Sequence, residues 1–210
     1  LKKFGIGQPT GLKFPGESHG SVPEHEDWSP TSFPTISFGQ GLSVNSVQVA
    51  SVYSTIANDG LRVEPSLVKR IIHADGTSEQ PAAPQTTRVV SRDTAIQMRV
   101  MLESVVGKGG TATKAKIPGY RVGGKTGTAQ VNDVRIGGYS DEVIASFVGM
   151  APADNPRLVV GVFISEPQIG RYGGELAAPV FKKVSSYALG ALQIPPTGSK
   201  APKLALTFGG

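Results

Sequence analysis

Apolar residues recur along this chain in two rhythms, one helical and one strand-like, and they divide it into recognisable segments. Across residues 46–57, Val49, Val52, Tyr53 and Ile56 fall at helical spacing, and Asn58-Asp59-Gly60 supplies a stop. Ser91 is a good N-cap for a second helix, with Ala95, Met98, Leu102 and Val105 on one face and Gly107 as its end. Leu176, Val180, Val184, Tyr187 and Ala191 predict a third, closed by Pro195-Pro196; Pro179 is tolerable if it lies in the first turn. Strands are predicted over 121–131, 143–150 and 158–165. The last two are joined through Ala151-Pro-Ala-Asp-Asn-Pro156 as an antiparallel hairpin. The β-branched residues of 67–73 predict a further short strand, turned by Ala74-Asp75-Gly76-Thr77.

The remaining segments carry less pattern. Residues 5–41 are rich in Gly and Pro and read as an extended connection, too long to be structureless unless it packs on something. Leu1-Lys-Lys-Phe-Gly5 looks like the last turn of a helix closed by glycine, and a chain starting at Leu1 reads as beginning inside a longer protein. The expected fold is α+β, an antiparallel sheet flanked by helices, with residues 1–194 folded and 195–210 as a tail. Three strands and one closing helix would bury a single sheet face, so part of a domain is expected.

Composition narrows the function classes. The net charge of +5 comes from 21 scattered basic residues without a basic run and interleaved aromatics, which argues against nucleic-acid binding. A mildly basic surface suits an anionic wall polymer or lipid headgroups. With no cysteine, disulfides, thiolate nucleophiles and Cys-based zinc sites are excluded. His19, His25 and His73 lack metal-ligand spacing, and neither a metal nor a cofactor is expected. No stretch approaches the roughly 18 apolar residues of a membrane span.

The candidate chemistry sits in Gly123-Gly-Lys-Thr-Gly-Thr-Ala-Gln130. A bare Lys-Thr-Gly is weak, and a glycine-flanked Lys-Thr pair is usually just an exposed edge strand. Here Lys125-Thr126-Gly127 ends the longer run from Gly109 to Gln130, and Lys-Thr-Gly is one of three motifs shared by penicillin-binding proteins and serine β-lactamases. The run resembles the transpeptidase domain of class B penicillin-binding proteins. So do Phe4 to Ser18, Ser37-Phe-Gly-Gln-Gly-Leu-Ser43, Gln48-Val-Ala50, Ala57-Asn-Asp-Gly60, Gly149-Met-Ala-Pro-Ala-Asp154, Tyr172-Gly-Gly174 and Ala177-Ala-Pro-Val-Phe181. Each fragment is modest, but their joint order is specific. Val44-Asn-Ser-Val47 departs from the family's usual Thr-Pro.

The resemblance implies the C-terminal part of a D,D-transpeptidase domain with a five-stranded antiparallel sheet. Members cross-link peptidoglycan stem peptides ending in D-Ala-D-Ala through a serine acyl-enzyme and are trapped by β-lactams. By the same resemblance, Lys125 raises positive potential beside the nucleophile, and Thr126 and Thr128 bind the substrate or β-lactam carboxylate. The N–H of Thr128 is an oxyanion donor, Gly127 lets ligand approach, and Tyr172, beside Arg171, stands near the cleft wall. The family's order is Ser-x-x-Lys, Ser-x-Asn, Lys-Thr-Gly, so the nucleophile and base are expected upstream of Leu1. This chain alone is then inactive and needs its N-terminal half.

Also implied are an N-terminal anchor holding the protein at the outer face of a bacterial plasma membrane, and glycosyltransferase and division partners. The Gly-Gln-Pro-Thr-Gly opening leans towards the division type, penicillin-binding protein 3-like. Two rivals remain: a non-catalytic wall-peptide or β-lactam sensor or division scaffold, and a β-lactam-hydrolysing serine enzyme. Two literal motifs are set aside. Ser66 of Ser66-Leu-Val-Lys69 follows Pro65 and leads into the strand predicted over 67–73, which would turn the two side chains to opposite faces, and Ser43-Val-Asn45 stands in the wrong order.

Overall fold

The computed structural model describes residues 1–133, 135 and 137–202. They form two compact units, residues 1–55 with 61–89, and residues 56–60 with the described residues from 90 to 202. The expected tail lies partly outside the described residues, at 203–210.

The first unit holds α1 (Ser32–Ser37), most of α2 (Ser46–Ala57) and two small antiparallel ladders. Strand β1 (Leu61–Val63) pairs with β4 (Thr86–Arg88), and β2 (Ile71–Ile72) with β3 (Ser78–Glu79). The Gly/Pro-rich connection is held by backbone pairing and one buried amide. Ser21 and Ser43 exchange backbone hydrogen bonds of 2.9 and 2.8 Å. At the start of α2, the Gln48 N–H donates to Asn45 Oδ1 at 2.8 Å and the Asn45 N–H donates to Gln48 Oε1 at 2.9 Å, a reciprocal capping box. The Gln48 amide nitrogen also donates to the carbonyls of Gln8 and His19, both at 2.8 Å. Gln48 is only 2% exposed because it completes these bonds. Leu1–Gly5 is the expected capped turn: the Gly5 N–H donates to the Lys2 carbonyl and Gly5 adopts φ 84°.

The strand expected over 67–73 is a correction. Only Ile71–Ile72 pair, while Leu67 and Val68 are 72% and 53% exposed, with no ladder partner among the described residues to hold them extended. Ser66 and Lys69 are therefore rejected for a different reason. They lie in irregular backbone, where the Ser66 hydroxyl turns to the Val68 carbonyl, and not on the first turn of a helix. Ser43-Val44-Asn45 is the lead-in and cap of α2.

The second unit is a three-stranded antiparallel sheet in the order β5 (Gly123–Asp133), β6 (Gly138–Ala151), β7 (Leu158–Ser165). It carries α3 (Arg92–Val106) and α4 (Gly173–Ala191). Ser91 caps α3 by accepting from the Thr94 N–H at 3.1 Å, and Gly107 ends it. Helix α3 buries Ala95, as expected, and then Arg99, Glu103 and Val106, each one position on from the expected Met98, Leu102 and Val105; Met98 is exposed. Partners make the burial of charge tolerable. Arg99 donates to the Ile56 carbonyl at 3.0 Å and to Asp59 Oδ1 at 2.8 Å. Glu103 takes a two-pronged bond from Arg121, at 2.8 and 2.6 Å, anchoring the approach to β5.

Helix α4 is corrected in the same way. It buries Ala177, Ala178, Phe181, Ser185 and Leu189, whereas Val180, Val184 and Tyr187 of the expected stripe are 40%, 46% and 79% exposed. Pro179 is six residues past the helix's first residue, Gly173, so it lies in the second turn and removes a helical donor there. Phe181 meets Phe147 of β6 edge-on, ring centroids 4.8 Å apart, at the centre of a core that includes Val106, Ala112, Ile117, Val122 and Leu189.

Candidate active site

Strand β5 is an edge: it pairs with β6 on one side, and among the described residues no strand takes the other. Register assigns the faces of the motif. Thr126 lies opposite Phe147 and Thr128 opposite Ala145, both fully buried beneath α4, so the two threonines share that face and Lys125 and Gly127 share the other. Thr126 is half-buried, its hydroxyl 3.1 Å from that of Thr111, while Lys125 and Thr128 are exposed.

The lysine curls round the open edge. Its ammonium donates to the Thr126 carbonyl at 3.0 Å and stands 3.4 Å from the Thr126 hydroxyl. In an antiparallel strand the N–H and C=O of one residue point to the same side, and residues two apart share that side. The Thr126 carbonyl turned towards Lys125 thus puts the Thr128 N–H on the open edge as well. One short stretch of edge therefore carries an ammonium, an N–H donor and neighbouring hydroxyls. Such a row can orient a carboxylate and stabilise an oxyanion.

Two glycines permit the assembly. A Cβ on Gly127 would collide with the Ser146 hydroxyl, which occupies the space above it. A Cβ on Gly173 would collide with the Ser146 carbonyl and lie 2.7 Å from the Gly127 carbonyl. Gly173 thus brings the N-terminus of α4 down onto the Gly127–Ser146 pair, and Tyr172, at the N-cap, stands beside the motif with 62% of its surface exposed. Lys125, Thr126, Gly127, Thr128 and Tyr172 are accordingly gathered in one place. Thr111 and Ser146 join them without having been singled out from the sequence. Thr111 lay inside the Gly109–Gln130 run, whereas Ser146 had no local signal.

The penicillin binding protein transpeptidase domain profile matches residues 1–186. The chain belongs to that family. Penicillin-binding protein PbpB of Mycolicibacterium smegmatis is 41% identical over 215 residues, covering 98% of this chain and 33% of that protein. A probable peptidoglycan D,D-transpeptidase, PenA of Neisseria meningitidis, is 40% identical over 93% of this chain and 32% of its own length. Among solved structures, penicillin-binding protein 3 of Mycobacterium tuberculosis, complexed with ampicillin, superposes with a TM-score of 0.91 at 38% identity, covering all of this chain and 48% of that one. This transpeptidase-family chain therefore spans about a third of the length of the curated relatives and about half of that solved chain. Its fold is the α+β fold of that domain, and the Lys125–Thr128 edge lies within the matched region.

Proposed function

We propose that this chain supplies the Lys-Thr-Gly wall of a peptidoglycan D,D-transpeptidase, with the serine nucleophile and general-base lysine in a part of the protein outside residues 1–210. The observation that carries the proposal is the open β5 edge, where the Lys125 ammonium and the Thr128 N–H lie on the same side. The relatives' names as penicillin-binding proteins and D,D-transpeptidases support it, as does the ampicillin complex of the M. tuberculosis protein.

In this reading a serine Oγ attacks the penultimate D-Ala carbonyl, its proton passes to the base, and the carbonyl oxygen gains negative charge that the Thr128 N–H receives. Collapse of that intermediate breaks the peptide bond, and terminal D-Ala leaves with a proton. The amine of a neighbouring stem then attacks the acyl-serine, forming the cross-link and restoring the serine. Thr126 and Thr128 hold the substrate carboxylate, and Lys125 supplies positive potential beside it. Tyr172 forms part of the wall. β-Lactams, as mimics of the D-Ala-D-Ala end, acylate the same serine. The reading places the protein at the outer face of a bacterial plasma membrane behind an N-terminal anchor, with glycosyltransferase and division proteins as partners.

The test is D-Ala release and cross-link formation by the complete protein on pentapeptide-bearing glycan strands. Both activities should be present and blocked by penicillin. Penicillin binding without either activity would favour the sensor or scaffold, and rapid penicillin turnover the β-lactam hydrolase.

A further inference from the structure

The hydroxyls of Thr111 and Thr126 stand 3.1 Å apart, a direct hydrogen bond in which either oxygen could donate. Thr111 is not on the sheet. It sits in the loop that leaves α3, where the Gly110 N–H donates to the Gly107 carbonyl at 3.0 Å and the Ala112 N–H to the Val105 carbonyl at 2.9 Å. The start of α4 holds it from the other side. A Cβ on Gly174 would collide with the Thr111 carbonyl and would lie 3.4 Å from Thr126 Cγ2. One close approach at Gly174 therefore seats the Thr111 backbone and the Thr126 methyl group together. Threonine is stiff about χ1, so placing the methyl group also places the hydroxyl.

Hydrogen-bond chemistry gives this pair a direction. A hydroxyl has one proton to donate and two lone pairs to accept with, a carboxylate only accepts, and an ammonium only donates. When Thr126 gives its proton to a ligand carboxylate, it has none left for Thr111. Thr111 must then donate to Thr126 Oγ1, and the Lys125 ammonium, 3.4 Å from the same oxygen, can fill the other lone pair. With both lone pairs engaged, the single proton of Thr126 is left for the carboxylate. Donation into Thr126 Oγ1 also polarises its O–H and strengthens the bond it makes to an anion.

We infer that Thr111 is a positioning residue for carboxylate recognition. Its hydroxyl donates to Thr126 Oγ1 and so directs the Thr126 proton to the terminal carboxylate of a stem peptide, or to the carboxylate of a penicillin. Thr111 acts through Thr126 and not by touching the ligand. The inference rests on the transpeptidase reading, which makes Thr126 a holder of that carboxylate, and on the Thr111–Thr126–Gly174 geometry for the rest.

The test compares benzylpenicillin with its methyl ester, which keeps the β-lactam ring but not the anion, as acylating agents of the complete protein. Thr111→Val keeps the shape of threonine and removes the donor. It should lower the preference for the acid over the ester about tenfold, the order expected for one weakened bond to a charged group. Thr111→Ser, which retains the hydroxyl, should keep the preference. In a Thr126→Val background, Thr111→Val should have no further effect on it, because Thr111 acts through Thr126. A packing role alone would slow acid and ester alike, and that result would overturn the inference. So would a full effect of Thr111→Val in the Thr126→Val background. The unchanged protein separates this idea from the reading beneath it. Acylation by penicillin, with an acid preference untouched by Thr111→Val, defeats the positioning role alone. No acylation of the unchanged protein by either compound defeats the transpeptidase reading, and this inference with it.

Discussion

Thr128 offers two separable groups, a hydroxyl and a backbone N–H, and substitution can part them. Thr128→Val keeps the N–H and removes the hydroxyl. Thr128→Pro also removes the N–H, and an edge strand tolerates proline where that N–H faces away from its partner strand. In the complete protein, Thr128→Pro should slow penicillin acylation by about 10²–10³-fold relative to Thr128→Val, the usual loss for one oxyanion donor. Equal rates in the two variants would remove the N–H from the mechanism. Lys125→Ala should also lower the acylation rate, with the loss shrinking at high salt for the part that comes from long-range potential. Lys125 through Thr128 were legible in the sequence because the motif is contiguous and strand alternation assigns its faces. Ser146 was not: it reaches Gly127 only through the β5–β6 register, which local pattern does not specify.

Element positions were read well, and element faces less so. The helices began and ended close to where Ser91, Gly107 and Asn58-Asp59-Gly60 placed them, since caps are local chemistry. The face of α4 was misassigned, and that of α3 was only partly right, because hydrophobicity was taken as the sign of burial: Ala95 is buried and Val105 packs on the core, but Met98 is exposed. Arg99 and Glu103 are buried with partners, and small Ala177 and Ala178 let α4 lie close to the sheet while its larger Val180 and Val184 face outward. Two predictions belong here. Arg121→Met strands the buried Glu103 carboxylate and should cost about 3–5 kcal/mol in denaturant unfolding; a loss under about 1 kcal/mol would show the pair to be dispensable. The second concerns acid. Burial works to raise the Asp154 carboxyl, but hydrogen bonds from Ser199 and Thr197, with Arg121 nearby, outweigh it and hold the group below its ordinary range. Asp59 is lowered chiefly by its bond from Arg99. Groups depressed on folding stabilise above their unfolded value of about 3.9 and lose that contribution as pH falls through the folded one. The urea midpoint should therefore fall below about pH 4, and Asp154→Asn should reduce that acid dependence.

At the scale of the molecule, the sheet is where fold and chemistry meet. Phe147 and Phe181 fix α4 on the sheet, and the same helix begins at Gly173 against the Gly127–Ser146 pair. Phe181→Ala should cost about 3–5 kcal/mol, read from the shift in denaturant midpoint. Gly173→Val, by forcing the N-terminus of α4 off the strand, should impair acylation more than it impairs stability. The α+β class was legible because three strands and three long helices have clear periods. The pinning of residues 5–41 was not, because it depends on one buried amide, Gln48, reaching carbonyls far away in sequence.

The central claim is that this chain supplies one wall of an acylating site whose serine lies elsewhere in the protein. The most direct measurement is peptide mass mapping of the complete protein after penicillin labelling. A single adduct outside residues 1–210, on the serine of a Ser-x-x-Lys, is the predicted result. An adduct on any serine within these residues, Ser66 included, would contradict it.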